Sequence, residues 1–358
     1  MRLLIAGGGT GGHLFPGVAL AEELRARDPA APVRFVGTRR GIEARVLPEL
    51  GWELSFIEVS GLKTVGALGA LRGLFRLPRS LWQARRVVKE FRPDAVIGVG
   101  GYASGPVVLM ARLRGIPTGI CEQNSIPGLT NKLLARVVRR IFLAFQQTSR
   151  FFSAKKVMLT GNPVRRELLQ RLLAARAAAH DGPVSILVSG GSLGAVAVNA
   201  LAADALIALS KELPLSITHQ TGEKGLADTR ATYAAAGVPA TVVPFIKDMA
   251  SAYAAADLVI GRAGATTVAE LAIAGVPAVF IPYPTAADDH QTHNAREMAD
   301  AGAALVFAQS ELTPAKLAAA VRPILTDPAK RRVMADSMRT LAKPDAAKVI
   351  IDWCESQQ

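Results

Sequence analysis

The stretch Leu3-Leu4-Ile5-Ala6-Gly7-Gly8-Gly9-Thr10-Gly11-Gly12-His13 decides the fold. Its apolar run has the length of a buried strand, its glycines make a turn, and Phe15 to Ala26 continue with helical spacing. A strand, a glycine turn and a helix start in that order form an anion cradle. The unpaired N–H groups of the first helical turn and the positive end of the helix dipole both point over the loop. Without Cβ atoms a phosphate can approach the backbone closely. Gly7-x-Gly9-x-x-Gly12 also satisfies the dinucleotide fingerprint, so a nicotinamide-binding fold is the first reading. Half a chain later the pattern returns as the strand-like Ile186–Ser189, then Gly190-Gly191-Ser192-Leu193-Gly194-Ala195, then a helix. Two such loops suit a reaction between two phosphate-bearing substrates better than one dinucleotide.

Outward from these loops, short apolar runs alternate with amphipathic stretches. Leu3–Ala6, Val33–Val36, Ala95–Val99, Pro117–Ile120, Arg140–Ala144 and Val157–Thr160 read as strands of a first half. Val184–Ser189, Ser216–Gln220, Ala240–Val243, Asp257–Ile260, Ala278–Ile281 and Ala303–Val306 read as strands of a second. Such alternation implies parallel sheets covered on both faces. The expected fold is α/β, two Rossmann-like doubly wound domains facing each other across a cleft, with 358 residues too many for one comfortable core. The turn at Gly161-Asn162-Pro163 and the stretch His180–Pro183 mark the crossing, giving domains 1–162 and 163–342.

Lys and Arg outnumber Asp and Glu by 42 to 29, a net charge of +13, which favours phosphates, anionic lipid or nucleic acid. Aromatic residues are only 5% and no zinc-finger or RNA-recognition signature occurs, so nucleic acid ranks last. Cys121 and Cys354 make no disulfide framework and fit a reducing compartment. The apolar start is broken by glycines too early for a signal peptide, and the other uncharged stretches are broken by Gly and Pro, so no transmembrane helix is expected. From Leu62 to Arg92, Leu71, Phe75 and Trp82 interleave with Arg72, Arg76 and Arg79. That mixture marks contact with an anionic membrane surface, against the alternative of an ordinary helix with a solvated basic face.

His13 is placed to act as general base, or else to bond backbone at a helix start. Tyr102 and Ser104 carry hydroxyls at the end of the strand Ala95–Val99, and Glu122-Gln123-Asn124 put polar groups at the end of another. Gly261 to Glu270 give a further strand-end helix start suited to a diphosphate, with Glu270 one turn inside and able to hold a ribose diol. Among Asp288-Asp289-His290-Gln291-Thr292-His293-Asn294, Gln291 and Asn294 are read as sugar ligands, without metal.

These motifs, taken in order with Gly128-Leu129-Thr130-Asn131-Lys132 and Gly161-Asn162-Pro163-Val164-Arg165, cover nearly the whole chain. They resemble glycosyltransferase family 28, in particular its enzymes that convert lipid I to lipid II for peptidoglycan synthesis. The resemblance implies a GT-B fold whose C-terminal segment, 343–358, returns to the first domain. It implies inverting transfer of N-acetylglucosamine (GlcNAc) from UDP-GlcNAc to the C4 hydroxyl of N-acetylmuramic acid in undecaprenyl-diphosphate-linked lipid I, without a cofactor. Thr10, Gly11, Gly12, Asn124, Arg165, Ser192, Ile246, Ala265, Thr266, Thr267, Val268, Ala269, Glu270 and Gln291 would hold UDP-GlcNAc. Gly9, Tyr102, Ser104, Glu122 and Asn131 would meet the acceptor. The expected location is the cytoplasmic face of the bacterial inner membrane, as a peripheral protein, with other cell-wall synthesis proteins as further partners. Two positions depart from the family pattern: Cys121 stands where His is usual and Leu193 where Gln is usual. The first moves the base assignment to His13. Alternatives are a UDP-GlcNAc 2-epimerase of the same fold, an NADP oxidoreductase using Arg39 and Arg40, and a non-catalytic membrane adaptor.

Overall fold

Leu3, Leu4, Ile5 and Ala6 are all wholly buried, which a strand permits only inside a sheet covered on both faces. The computed structural model describes residues 1–59, 67–175, 182–191, 193–286 and 289–358, and of 67–76 the backbone alone. Ser192, Asp288 and the side chains of Leu71, Arg72, Phe75 and Arg76 therefore lie outside the described residues.

The chain forms two units, Met1–Arg166 with Pro344–Gln358, and Glu167–Lys343. The first holds seven parallel strands, β1 (Leu3–Ala6), β2 (Val33–Gly37), β3 (Glu53–Phe56), β4 (Ala95–Gly98), β5 (Thr118–Glu122), β6 (Arg140–Leu143) and β7 (Val157–Leu159). Their order is β3-β2-β1-β4-β5-β6-β7, with Leu3 in register with Val33 on one side and Ala95 on the other. Helices α1 (Gly11–Arg27), α2 (Glu43–Glu49), α3 (Ala67–Phe91), α4 (Ser104–Leu113) and α5 (Leu129–Leu134) connect them, and α6 (Arg166–Ala174) leads out. The backbone of α3 continues through Pro78. The first unit runs to Arg166, past the expected edge at 162. Arg165 lies over the Phe15 ring at 4.7 Å, and the Arg166 N–H donates to Glu22 at 2.7 Å.

The second unit repeats the plan with β8 (Val184–Ser189), β9 (Leu215–Gln220), β10 (Thr241–Val243), β11 (Leu258–Gly261), β12 (Ala278–Phe280) and β13 (Ala304–Val306), ordered β10-β9-β8-β11-β12-β13. Its helices are α7 (Val196–Ser210), α8 (Leu226–Ala235), α9 (Met249–Ala255), α10 (Ala265–Ala274), α11 (His290–Asp300), α12 (Pro314–Thr326) and α13 (Pro328–Thr340). Helix α14 (Ala346–Glu355) then returns to the first unit, burying Ile350, Ile351, Trp353 and Cys354 in the cluster that contains Leu3, Ile5 and Val18. Each of its large apolar side chains is worth roughly 1.5–3 kcal/mol of burial. Arg27 also pairs with Asp352 and Glu355, both at 2.7 Å, but these half-exposed pairs add about 1 kcal/mol at most. Apolar packing is what seats α14.

Both sheets change winding direction beside their first strand, between β1 and β4 and between β8 and β11. In such sheets ligands collect outside the strand ends at that point. The four loops that follow these strands are the glycine loop after β1, Gly100–Ala103 after β4, Gly190–Ala195 after β8 and Arg262–Gly264 after β11.

Candidate active site

In the first unit the loops after β1 and β4 touch backbone to backbone. A Cβ on Gly7 would run into the Gly100 carbonyl, and one on Gly101, at φ +78°, into the Gly8 carbonyl. The glycines are therefore demanded by the two loops' contact as well as by any ligand. His13, in the first turn of α1, lies on this junction: its ring is against Gly100, and Nδ1 is 3.4 Å from Thr10 Oγ1. Helix α1 has no acidic residue in its first turn, and the backbone N–H groups of Gly11 and Gly12 lie in that turn.

Beneath the loop sits Glu43, a residue the sequence did not single out. It is fully buried, and its carboxylate accepts from the Gly9 N–H at 2.7 Å and from Thr38 N–H and Oγ1 at 2.9 and 3.0 Å. Gly9, expected among the acceptor ligands, thus has its N–H turned inward.

A second buried carboxylate braces the next loop. Glu122 accepts from the N–H groups of Asn124 and Gly128, both at 3.1 Å, and from Asn131 Nδ2 at 2.8 Å. Burial pushes its carboxyl up to about 7 while these three donors hold it down. Ser104 is also buried, its hydroxyl donating to the Gly101 carbonyl at 2.9 Å. These side chains are largely committed within the loops, the Ser104 hydroxyl to a backbone carbonyl and the Glu122 carboxylate to Asn131 Nδ2, while Asn131 Oδ1 is buried with no hydrogen-bond partner. Tyr102 is exposed, and Asn124 is half-buried with its N–H on Glu122. Cys121 faces the core beside Trp353 and Cys354, and burial raises its thiol pKa, which removes this position from acid–base work.

In the second unit the first turn of α10 presents the N–H groups of Ala265, Thr266 and Thr267 beyond the Gly264 cap. Glu270 follows one turn later, and the buried Tyr253 of α9 donates to its Oε2 at 3.1 Å. Tyr253 carries no motif signal; only the packing of α9 on α10 reveals it. Ala265 and Val268 are buried, so their contribution to a ligand is backbone, while Thr266, Thr267 and Ala269 are half-buried. Ile246 lies half-buried in the turn between β10 and α9. Gln291, on α11, accepts from the Tyr283 N–H at 3.0 Å, and Asn294 is wholly buried with Nδ2 on the Ala263 carbonyl at 3.2 Å. Asn294 thus ties α11 to the loop after β11.

Internal bonds hold the remaining loops too. Gln220 joins Ser189 Oγ at 2.8 Å to the Gly191 carbonyl at 3.0 Å, leaving Leu193 at the loop tip 89% exposed. The buried Arg262 guanidinium donates to the carbonyls of Ile281 and Pro282, each at 2.8 Å, and to Gln309 at 2.7 Å. Among the described residues no group of three or more His, Cys, Asp or Glu could hold a metal ion; Asp289 accepts from Thr292 Oγ1 at 2.7 Å. Of the basic-apolar helix, Trp82 and Leu77 are exposed and Arg79 pairs with Glu58 at 3.0 Å. Among the described residues no helix is long and apolar enough to cross a membrane.

Two parallel doubly wound units, each with anion-ready helix starts beside its first strand, have the architecture of GT-B glycosyltransferases. The family model for the glycosyltransferase family 28 N-terminal domain matches residues 3–143, and that for the C-terminal domain matches 185–350. The chain belongs to glycosyltransferase family 28. It is 51% identical over 355 residues to the UDP-N-acetylglucosamine–N-acetylmuramyl-(pentapeptide) pyrophosphoryl-undecaprenol N-acetylglucosamine transferase of Myxococcus xanthus, spanning 99% of this chain and 92% of that one. The crystal structure of MurG from Acinetobacter baumannii matches with a TM-score of 0.84 at 38% identity over 99% of both chains. A UDP-GlcNAc 2-epimerase from Neisseria meningitidis matches over 100% of both chains with a TM-score of 0.72, but at 14% identity, a likeness of fold alone.

Proposed function

We propose that this enzyme transfers GlcNAc from UDP-GlcNAc to the C4 hydroxyl of N-acetylmuramic acid in lipid I, giving lipid II with a β-1,4 link. The observation that carries the reading is the 51% identity to the Myxococcus xanthus transferase over 99% of the chain. The geometry of α10 supports the donor half. Its first-turn N–H groups suit a diphosphate, and Glu270, oriented by Tyr253, suits the ribose hydroxyls one turn further on. Ile246 serves the uracil through its backbone. Ser192, Thr10, Asn124 and Gln291 complete the donor contacts, and Tyr102 lies toward the acceptor.

The transfer is a single displacement. The acceptor oxygen attacks the anomeric carbon, the bond from that carbon to the diphosphate oxygen breaks, and its electron pair leaves with UDP. The hydroxyl proton passes to His13. Negative charge grows on the leaving diphosphate, which the dipole of α10 and the Arg165 guanidinium would stabilise. No metal or other cofactor is needed in this scheme.

The acceptor's lipid requires a membrane surface, and the net charge of +13 with exposed Trp82 supports peripheral contact through the α3 region at the cytoplasmic face. Other cell-wall synthesis proteins would meet it there. Release of UDP, followed with excess chelator present, tests the scheme. We expect release only when a lipid I analogue is added; release without acceptor, accompanied by free N-acetylmannosamine, would instead indicate an epimerase, and loss of release on chelation would contradict the metal-free scheme.

A further inference from the structure

Glu43 stands on α2, far in sequence from the glycine loop it supports, and its site is built for one carboxylate. One oxygen receives the Gly9 N–H at 2.7 Å; the other receives the Thr38 N–H at 2.9 Å and the Thr38 hydroxyl at 3.0 Å. The Thr38 hydroxyl in turn accepts from the Gly41 N–H at 3.2 Å, so every hydrogen in the chain has one direction. Gly8, Gly37 and Gly41 surround the carboxyl so closely that a Cβ on any of them would overlap it. Gly8, read in the sequence as part of a ligand loop, is therefore also a wall of this pocket, together with Gly37 and Gly41.

The consequence concerns what the first glycine loop offers outward. With Gly9 at φ +93° and its N–H drawn down to Glu43, that N–H is withheld from a phosphate, and a carboxylate lies directly below the loop. The first-turn N–H groups of α1, those of Gly11 and Gly12, follow next to His13 and have no partner within the helix. We propose that Glu43 is a positioning residue for the acceptor side of the reaction: it fixes the loop so that an acceptor is gripped at the helix start, beside His13, and repelled from the crown. This rests on the transferase reading given above.

The test is steady-state kinetics of Glu43→Gln, Thr38→Val and Thr38→Ser, with thermal melting recorded for each. Glutamine keeps the shape of Glu43 but turns an NH2 toward a donor, which breaks one arm of the brace. We expect kcat/KM for a lipid I analogue to fall about tenfold or more in Glu43→Gln and less in Thr38→Val, with Thr38→Ser close to wild type. The KM for UDP-GlcNAc should stay within about twofold, a split that simple loss of folded protein would not produce. Should Glu43→Gln fail to fold, the Thr38 pair decides by the same split. Folded variants that keep acceptor kcat/KM within about twofold, or that lose donor and acceptor parameters together, overturn the proposal. A wild-type chain without transferase activity overturns the functional reading instead; hydrogen exchange at the Gly9 amide then decides, unchanged exchange in Glu43→Gln removing the brace and about tenfold faster exchange keeping it.

Discussion

The His13 ring is oriented before any substrate binds, with Thr10 Oγ1 3.4 Å from Nδ1 and the Gly100 backbone along one face. A general base in that position contributes about 10²–10⁴ in rate. His13→Ala should therefore lower kcat by that order while UDP affinity, measured by calorimetry, changes less than about threefold; equal losses in both would refute the assignment. At Glu270 the expectation concerns discrimination. Tyr253→Phe removes the hydroxyl that donates to Oε2, at a cost of about 1 kcal/mol in orientation of the carboxylate. The preference for UDP over 2′-deoxy-UDP should narrow severalfold in this variant, and an unaltered preference would show that Glu270 does not read the ribose. Glu270 and His13 stand out in the sequence because a motif marks each. Glu43 and Tyr253 do not, since their roles come from contacts with Gly9 and Glu270 that no local spacing predicts. Glu122, Ser104 and Asn131 were read as facing outward because a polar residue at a strand end looks the same in sequence whether it points to solvent or into a loop.

The elements show the same division. The glycine-flanked apolar strands β1, β4, β8 and β11 were readable because burial on both faces requires continuous Val, Ile, Leu and Ala. The edge strand β3, Glu53-Leu54-Ser55-Phe56, was missed, since one exposed margin admits polar residues and erases the run. Helix α2 was missed as well, being only seven residues long with Pro48 inside it. In the second unit, β9, α7 and α8 are tied together by His219, which is wholly buried. Asn199 Nδ2 donates to the Thr221 carbonyl at 3.0 Å, so its Oδ1 accepts from His219 Nε2 at 3.3 Å, and Nδ1 accepts from the Tyr233 hydroxyl at 3.2 Å. This is a neutral imidazole in one tautomer, and burial pushes its pKa down to about 4, from 6.5. Unfolded chain binds a proton here below pH 6.5 while folded chain does not, so stability falls as pH drops from 6.5 to 4. The loss amounts to about 3 kcal/mol across that window. Denaturant titrations of wild type and His219→Gln should show this slope in the former and a flatter one in the latter; parallel slopes would contradict the assignment.

For the whole molecule, charge and domain plan set what it meets. A net charge of +13, with the exposed Trp82 and Arg79 on α3, implies that binding to anionic vesicles exceeds binding to neutral ones and weakens with salt. Trp82→Ala with Arg79→Glu should reduce vesicle co-sedimentation at least severalfold with the melting temperature unchanged; undiminished sedimentation would place the contact elsewhere. The repeat of one strand–glycine–helix plan in both halves was visible in the sequence, as was the family. The first unit extends to Arg166, where Arg165 lies over Phe15 of α1, a contact between distant residues that no local spacing signals. The measurement closest to the central claim is isolation of the product formed from labelled UDP-GlcNAc and a soluble lipid I analogue, with its linkage assigned by NMR. The account predicts one GlcNAc per acceptor, β-linked at C4, with UDP in equal amount. A product carrying the sugar elsewhere, an α link, or UDP without any sugar on the acceptor would contradict it.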